Sequence, residues 1–282
     1  MMRRRLATAI VGAAMCLHSG TAVAQSGGTP PSSVLLNGRD LALLGIATAS
    51  SVALVTLDTR IANFMTDSGF QARHPGFKTA AYRASHVTET VLILTGGAVW
   101  GMARLNDDRG TADVAFHTTE AVFSTAMVIQ VVRGALGRGR PYVVDDENGE
   151  KRNGDPREFK FLRGFTSYNY RSWPSMHAMA NFAVASALSQ EMRVRDTPHR
   201  QVLAPALYAA AVMPSLARMY LDEHWTSDIA MGIFLGVFAG QKAVLYSHAH
   251  PDNAIDRRFL EPAVRATITH DAGGLSFSIL PY

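Results

Sequence analysis

Cysteine is almost missing from this sequence, since Cys16 is the only one among 282 residues. One cysteine cannot form a disulfide within the chain. Cys16 also lies in the apolar part of an N-terminal segment that has the features of an export signal, so the mature chain would carry no thiol. This absence excludes disulfide staples and cysteine-dependent catalysis in the mature protein.

A large excess of one charge is missing as well. The chain has 27 basic and 23 acidic side chains, and Arg3, Arg4 and Arg5 belong to the start of the export signal. This basic start, the apolar stretch LATAIVGAAMCL and the small residues at 22–24 predict a signal peptide over residues 1–24. We expect an exported, periplasmic protein. With 24 basic side chains against 23 acidic ones after cleavage, no nucleic-acid partner is expected.

Few of the apolar segments are free of polar interruptions. His86 and Glu89 enter one of them, and His117 and Glu120 enter another. Each segment is nevertheless long enough for a helix and too long for an ordinary strand, which predicts an all-α fold with about six core helices. The six segments are 41–57, 87–103, 112–132, 176–190, 201–219 and 229–247.

The relation of these helices to a membrane has two interpretations. A membrane span needs about 20 predominantly apolar residues, whereas the mean hydropathy of this chain is only +0.05. The low value favours a compact exported helical domain that contacts a membrane surface. The alternative is a multi-span inner-membrane protein whose site faces the periplasm.

Composition along the chain predicts four parts. After the signal peptide, residues 25–38 are rich in glycine, proline and serine and predict a flexible leader. Residues 39–260 form the helical domain, and 261–282 alternate around a Gly-Gly turn, which predicts a short C-terminal β-hairpin. Within the domain, 138–172 is a long polar stretch. Such stretches are typical of a lid or rim over a site, and a solvated insertion is the alternative.

The stretch RGALGRGRPY carries residue types that bind anions. It places Arg133, Arg138 and Arg140 among glycines directly after an apolar segment. Arginine stays charged and offers a planar set of donors, and glycine lets a ligand approach the backbone. The stretch suggests an oxyanion site, although basic residues at a helix C-terminus are also favoured by the helix dipole.

The stretch SWPSMHA begins another apolar segment. Ser175 is typical of a helix N-cap, and the first N–H groups of a helix, including that of Met176, attract anions. His177 in the same turn can donate a proton to a leaving group. A capping serine beside a surface histidine explains the stretch more simply when it is taken alone.

A third stretch, LARMYLDEHWTSDIAMG, combines an arginine, a histidine and a carboxylate. Arg218 precedes His224 by six residues, and Asp228 follows His224 by four. A carboxylate at that spacing can lie on the same side of a helix as the histidine and hold one ring nitrogen, which leaves the other as a nucleophile. A surface histidine with a charged neighbour is the alternative.

Taken together, the three stretches resemble the type 2 phosphatidic acid phosphatase superfamily, which includes bacterial class A acid phosphatases and vanadium haloperoxidases. That family has Lys, six residues, Arg-Pro, then Pro-Ser-Gly-His, then Ser-Arg, five residues, His, three residues, Asp. The motifs lie within about residues 115–245, in the family's order and with its internal spacing. Arg133, Met176 and Ala217 depart from the family's lysine, glycine and serine. The matching residues are Arg140, Pro141, Pro174, Ser175, His177, Arg218, His224 and Asp228.

The resemblance implies a helical bundle and a phosphatase that works through a phosphohistidine. His224 would attack phosphorus, Asp228 would orient it and His177 would protonate the leaving alcohol. The phosphate would be held by Arg133, Arg140, Ser175, Met176 and Arg218. The expected substrate is a phosphorylated lipid or lipid pyrophosphate, with small soluble phosphoesters next. A vanadate-dependent haloperoxidase and a non-catalytic phosphate-binding envelope protein are the alternatives.

No metal and no cofactor are expected, because the chemistry of the family needs neither. Two His-x-x-Glu pairs, His86 with Glu89 and His117 with Glu120, have the reverse order of the Glu-x-x-His motif of di-iron bundles. We therefore assign both pairs to helix packing or to support of the phosphate pocket.

Overall fold

The computed structural model describes residues 36–144, 149–259, 264–271 and 274–281. The predicted signal peptide and nearly all of the predicted leader lie outside these ranges. From Gly38 onwards the chain forms one structural unit. The prediction of an all-α fold is confirmed, because helices make up most of the described chain and the six predicted segments are its six long helices.

The helices and strands of the described residues have the following bounds. The helices are α1 (Gly38–Met65), α2 (Ser68–Arg73), α3 (Pro75–Ala84), α4 (Glu89–Leu105), α5 (Arg109–Leu136), α6 (Met176–Val194), α7 (Arg200–Tyr220), α8 (Thr226–Ala249) and α9 (Ala254–Phe259). The strands are β1 (Tyr142–Val144), β2 (Lys151–Asn153), β3 (Val264–Asp271) and β4 (Gly274–Pro281), and 3₁₀ turns occupy Arg163–Phe165 and Tyr168–Tyr170.

Local sequence explains several helix ends. Thr88 caps α4, Asp108 caps α5 and Ser175 caps α6, each accepting a hydrogen bond from a backbone N–H three residues ahead. Such caps satisfy donors that have no partner inside the helix. Helix α5 ends at Gly137, whose φ of +62° is left-handed. A Cβ at Gly137 would also lie 1.8 Å from the Lys160 carbonyl oxygen, so this turn requires glycine.

The centre of the bundle is the close packing of α6 against α8. Gly232, Gly236 and Gly240 repeat every four residues and form one side of α8. A Cβ at Gly236 would lie 2.3 Å from the Met179 carbonyl oxygen, and the other two glycines face α6 backbone just as closely. The absence of side chains therefore brings the two helix backbones together, and the Ser175 N–H bonds the Asp228 carbonyl at 3.1 Å.

Chain direction places four helix ends at one end of the bundle. Helices α5 and α7 finish there, with Arg133 and Arg218 in their last turns, whereas α6 and α8 begin there. Positive side chains at two C-termini thus lie beside the N–H groups of two N-termini. The three stretches RGALGRGRPY, SWPSMHA and LARMYLDEHWTSDIAMG meet at this end.

Two small antiparallel β-pairs complete the described chain. Strands β1 and β2 pair with Tyr142 opposite Asn153, inside the long polar stretch that follows α5. Strands β3 and β4 pair with Val264 opposite Pro281, which confirms the predicted C-terminal hairpin. The turn residues of that hairpin, 272–273, lie outside the described residues.

Three of the long helices, α1, α7 and α8, are long and apolar enough to cross a membrane. Helix α1 also presents large apolar side chains outward, among them Leu41, Ile46 and Val52. Exposed apolar surface of this extent marks a surface that contacts lipid or protein.

Candidate active site

His224 is buried at the convergence of the helix ends. Its Nδ1 lies 3.4 Å from Oδ2 of Asp228, so the carboxylate fixes the tautomer with the proton on Nδ1. The spacing suggested that His224 and Asp228 share one side of a helix, and the structure shows that they do not. His224 precedes the helix, and Asp228 in the first turn of α8 reaches back to accept the N–H of Trp225 at 2.8 Å. In this tautomer Nε2 carries no proton.

Arg138 holds Asp228 from behind and does not belong to the phosphate-binding group. It is 1% exposed, and its guanidinium donates to Asp228 Oδ1 at 2.5 Å and to Asp58 Oδ2 at 2.8 Å. Ser227 donates to Asp58 through both its N–H and its hydroxyl, and Ser172 donates to Asp228 Oδ2. The orienting carboxylate is therefore fixed in a saturated buried network.

Arg140 and Arg218 lie together around the carboxylate of Glu223. Oε2 of Glu223 is 2.8 Å from Arg140 Nη1 and 3.1 Å from Arg218 Nη2. The Arg218 Nε is buried and has no hydrogen-bond partner among the described residues. Arginines of this arrangement have the donor geometry that can bind an oxyanion.

Tyr168 covers this arginine pair. The Arg140 guanidinium stacks 3.9 Å from the centre of the Tyr168 ring, a cation–π contact. The Tyr168 hydroxyl accepts from Arg218 Nη2 at 3.0 Å and donates to Glu223 Oε2 at 3.1 Å. The polar stretch 138–172 thus places a side chain over the arginines, as expected of a rim or lid.

Arg133 completes the basic group from the last turn of α5. It is half-buried, and its Nε donates to Gln130 at 2.8 Å. Glu89, in the first turn of α4, is near enough for its charge to act on Arg133. Of the His86–Glu89 pair, Glu89 is therefore the residue close to Arg133. His86 is exposed and bonds the Tyr82 carbonyl.

Ser175 and Met176 open α6 beside these arginines. Ser175 is fully buried and its hydroxyl accepts the Ala178 N–H, so it is a true N-cap. The Met176 side chain points away from the pocket into a core cluster with Val122 and Ile129 of α5. Its backbone N–H stays in the first turn, where the helix offers no acceptor. Methionine in place of glycine therefore fills the core and leaves the pocket open.

Ala217 also faces away from the pocket. It packs in an apolar cluster with Ala81 of α3 and Tyr220. The family's serine hydroxyl at this position would meet apolar neighbours here, and burying a hydroxyl without a partner is unfavourable. The departure fits the packing of this chain.

His177 and His224 both titrate low in the free protein. Burial lowers the pKa of His224 well below its usual range, and the charges of Arg140 and Arg218 lower this pKa further. Burial, followed by the charge of Arg218, lowers the pKa of His177 to about 3. The Ser85 carbonyl accepts from Nε2 of His177 at 3.1 Å. Both rings are therefore neutral at physiological pH when no anion is bound.

All the sequence-predicted site residues lie at this end of the bundle. The charges of Arg133, Arg140 and Arg218 act on both histidines, so these five residues lie near one another. The sequence analysis missed Asp58, Tyr168 and Glu223, and its suggestion of an oxyanion site in RGALGRGRPY does not extend to Arg138, which bonds Asp58 and Asp228. Glu223 adjoins His224 in the sequence and was the only one of these with a local signal.

Comparison with known proteins agrees with this architecture. Residues 115–252 match the model of the PAP2 superfamily. The matched region includes all three motifs.

One solved structure is similar in fold. The transmembrane PAP2 type phosphatidylglycerolphosphate phosphatase from Bacillus subtilis superposes with a TM-score of 0.52 at 18% sequence identity. The alignment covers 74% of this chain and 94% of that chain. Comparison with curated proteins finds no match.

Proposed function

We propose that this protein is a phosphatase that hydrolyses phosphate esters or pyrophosphates of lipids through a phosphohistidine. One observation carries the proposal: His224, held by Asp228 with Nε2 left as nucleophile, lies among three arginines and a second histidine. This arrangement combines a nucleophile of fixed tautomer with preorganised positive charge, which is what phosphoryl transfer requires.

The reaction has two steps. In the first, Nε2 of His224 attacks phosphorus, the bond between phosphorus and the leaving oxygen breaks, and that oxygen takes a proton from His177. In the second, water gives a proton to His177 and attacks the phosphohistidine, and the N–P bond breaks to release phosphate. Asp228 holds the positive charge that His224 acquires between the two steps.

The low pKa of His177 agrees with this cycle once substrate charge is counted. The arginines that lower this pKa would face a phosphate dianion, whose charge offsets theirs. Substrate binding thus raises the pKa of His177, so that His177 is protonated and can act as the general acid. The neutral state of His224 suits a nucleophile throughout.

The substrate phosphate would displace the Glu223 carboxylate from Arg140 and Arg218. Glu223 lies between Arg140 and Arg218 in the free protein, with Tyr168 over the pair. The phosphate oxygens would bind the same guanidinium donors, together with Arg133, the Ser175 hydroxyl and the Met176 N–H. The Glu223 side chain must therefore move when phosphate binds. Because it competes for the same donors, it weakens the binding of phosphate and of its analogues.

Replacing Glu223 by glutamine is expected to tighten inhibition by inorganic phosphate about tenfold, because a negative charge next to the bound anion is removed. The measurement is the inhibition constant of phosphate with wild type and Glu223→Gln. Asp222→Asn is the matched control, since it removes a charge one residue away and is expected to change the constant less than twofold. Equal constants for Glu223→Gln and wild type would show that Glu223 does not compete with phosphate.

A lipid substrate is supported by an apolar loop beside the arginines. Phe159, Phe161, Leu162 and Phe165 are exposed, and Phe161 is 75% exposed. The loop is joined to the end of α5, where the Leu162 N–H bonds the Ala135 carbonyl and Phe165 packs against Gly134. Together with the apolar α1, α7 and α8, it favours a protein embedded in a membrane, with this loop at the lipid interface.

The substrate proposal is tested by phosphate release from four substrates: phosphatidic acid, phosphatidylglycerol phosphate, a polyprenyl pyrophosphate and a soluble phosphomonoester. We expect kcat/KM to be highest for a lipid. Phe161→Ser should lower kcat/KM for the lipid in vesicles about tenfold and leave the soluble ester unchanged, because it removes a side chain from the interface.

Leu105→Ser is the control for this variant, because Leu105 is 60% exposed at the other end of α4. It is expected to change neither rate. A higher kcat/KM for the soluble ester than for every lipid would contradict the lipid assignment. Halide oxidation that depends on added vanadate, without phosphate release, would contradict the phosphatase itself.

A further inference from the structure

A second cluster of ionisable side chains lies at the opposite end of the bundle. His117 is in the first half of α5, Glu191 is near the end of α6 and His248 is near the end of α8. His117 precedes Arg133 by about 24 Å of helix at 1.5 Å per residue, and Glu191 follows Ser175 by the same length. The cluster is therefore separate from the phosphate pocket.

Both imidazoles are directed at one carboxylate. His117 Nδ1 is 2.6 Å from Glu191 Oε1, and His248 Nε2 is 3.1 Å from Glu191 Oε2. The three ligand atoms that these residues offer lie within 4.8 Å of one another. Two imidazoles and a carboxylate are the donor set of many three-ligand zinc sites. Three helices that are distant in sequence thus contribute one potential ligand each.

Carboxylates outnumber cations around His117. Asp256 Oδ2 of α9 lies 3.6 Å from His117 Nε2, and Glu120 is near enough for its charge to interact with both. Against Glu191, Asp256 and Glu120, Arg195 supplies one positive charge, through a 2.8 Å bond to Glu191 Oε2. A divalent cation bound here would face these three carboxylates and one arginine.

The cluster is buried on the side of His117 and open to solvent on the side of His248. His117 is 4% exposed, and its Nε2 has no hydrogen-bond partner among the described residues. Its neighbour is Asp256 Oδ2 at 3.6 Å, so the ring lies between two carboxylates, one at each nitrogen. The His248 side chain is 30% exposed, which leaves a path from solvent into the cluster.

We propose that His117, Glu191 and His248 bind one divalent transition-metal ion of the zinc class, with Asp256 beside them as a further carboxylate. Arg195 stays on Glu191 as the outer hydrogen bond that orients a ligating carboxylate. The ion would join α5, α6 and α8 at the end of the bundle remote from the phosphate. It takes no part in the phosphatase reaction.

The test is Zn²⁺ binding by the full-length, tag-free protein, measured by metal analysis after dialysis and by calorimetry. Wild type is expected to bind one Zn²⁺ per chain. His248→Ala should weaken binding about 100-fold or more, because it removes a ligand. His250→Ala is the matched control, since His250 lies two residues beyond His248 and bonds the Tyr246 carbonyl. This variant should bind Zn²⁺ as wild type does.

Two further measurements test the site, and the first of them needs only wild-type protein. Co²⁺ bound to wild-type protein should give the intense visible absorption of a low-coordinate site with nitrogen donors. Zn²⁺ should also raise the melting temperature of wild type by roughly 5 °C, and that of His248→Ala far less. No stoichiometric Zn²⁺ on wild type, or equal affinity in wild type and His248→Ala, would overturn the site and leave a proton-bridged helix latch.

Discussion

Replacing His224 by alanine is expected to lower phosphate release at least about 10⁴-fold, because it removes the atom that forms the covalent intermediate. The variant should keep its fold, since the Trp225 N–H and Arg138 still hold Asp228. It should also still bind inorganic phosphate, because the arginines are unchanged. The measurement is single-turnover phosphate release from the preferred lipid.

His74→Ala is the control for this result. His74 is exposed and bonds the Phe70 carbonyl, so its removal is expected to leave turnover unchanged. If His224→Ala retained more than a hundredth of the wild-type rate, another residue would have to be the nucleophile.

Replacing Arg138 by methionine is expected to destabilise the protein by about 3–5 kcal/mol, the usual effect of removing one partner from a buried ion network. Asp58 and Asp228 are both fully buried and would lose their shared cation. Activity should fall as well, because Asp228 orients His224. The measurement is the free energy of unfolding in denaturant, compared with wild type.

A double variant separates charge from packing. Asp58→Asn removes one of the two carboxylates that Arg138 compensates. The double variant Arg138→Met with Asp58→Asn should therefore lose less free energy of unfolding than the sum of the losses of the two single variants. Arg140→Met supplies the contrast, because Glu223 is partly exposed; it should weaken substrate binding more than it lowers stability. Wild-type stability in Arg138→Met would contradict the structural role of this arginine.

The helices and the motif spacing could be predicted because both are local properties of the sequence. Six apolar segments gave six long helices, and the alternation around residue 272 gave the C-terminal hairpin. The caps at Ser175 and Asp108 follow from residue type alone. The short helices α2, α3 and α9 were missed because six to ten residues carry little periodic signal.

The bonding partners of the arginines in RGALGRGRPY could not be predicted from the local sequence. Arg138 and Arg140 lie two residues apart among glycines, yet one bonds Asp58 and the other bonds Glu223. These partners are about 80 residues away in opposite directions along the chain, so no local pattern connects them. Tertiary packing decides the partner of each arginine: Arg138 lies against α1, and Arg140 lies against the end of α7.

The His-x-x-Glu pairs show the same limit. Helical spacing paired His117 with Glu120 and suggested helix packing or support of the phosphate pocket. The stronger partners of His117 come from α6 and α8, which chain folding brings to the same end of the bundle. The histidine-carboxylate cluster therefore emerges only when three helices are considered together.

The central claim, that phosphate passes through His224, is tested most directly by trapping the intermediate. Wild-type protein would be mixed with substrate carrying a labelled phosphoryl group, stopped within milliseconds in alkali and digested for peptide mapping. We predict label on the imidazole of His224, labile in acid and absent from His224→Ala. Label on another residue, or full turnover with no labelled protein at any time, would contradict the account.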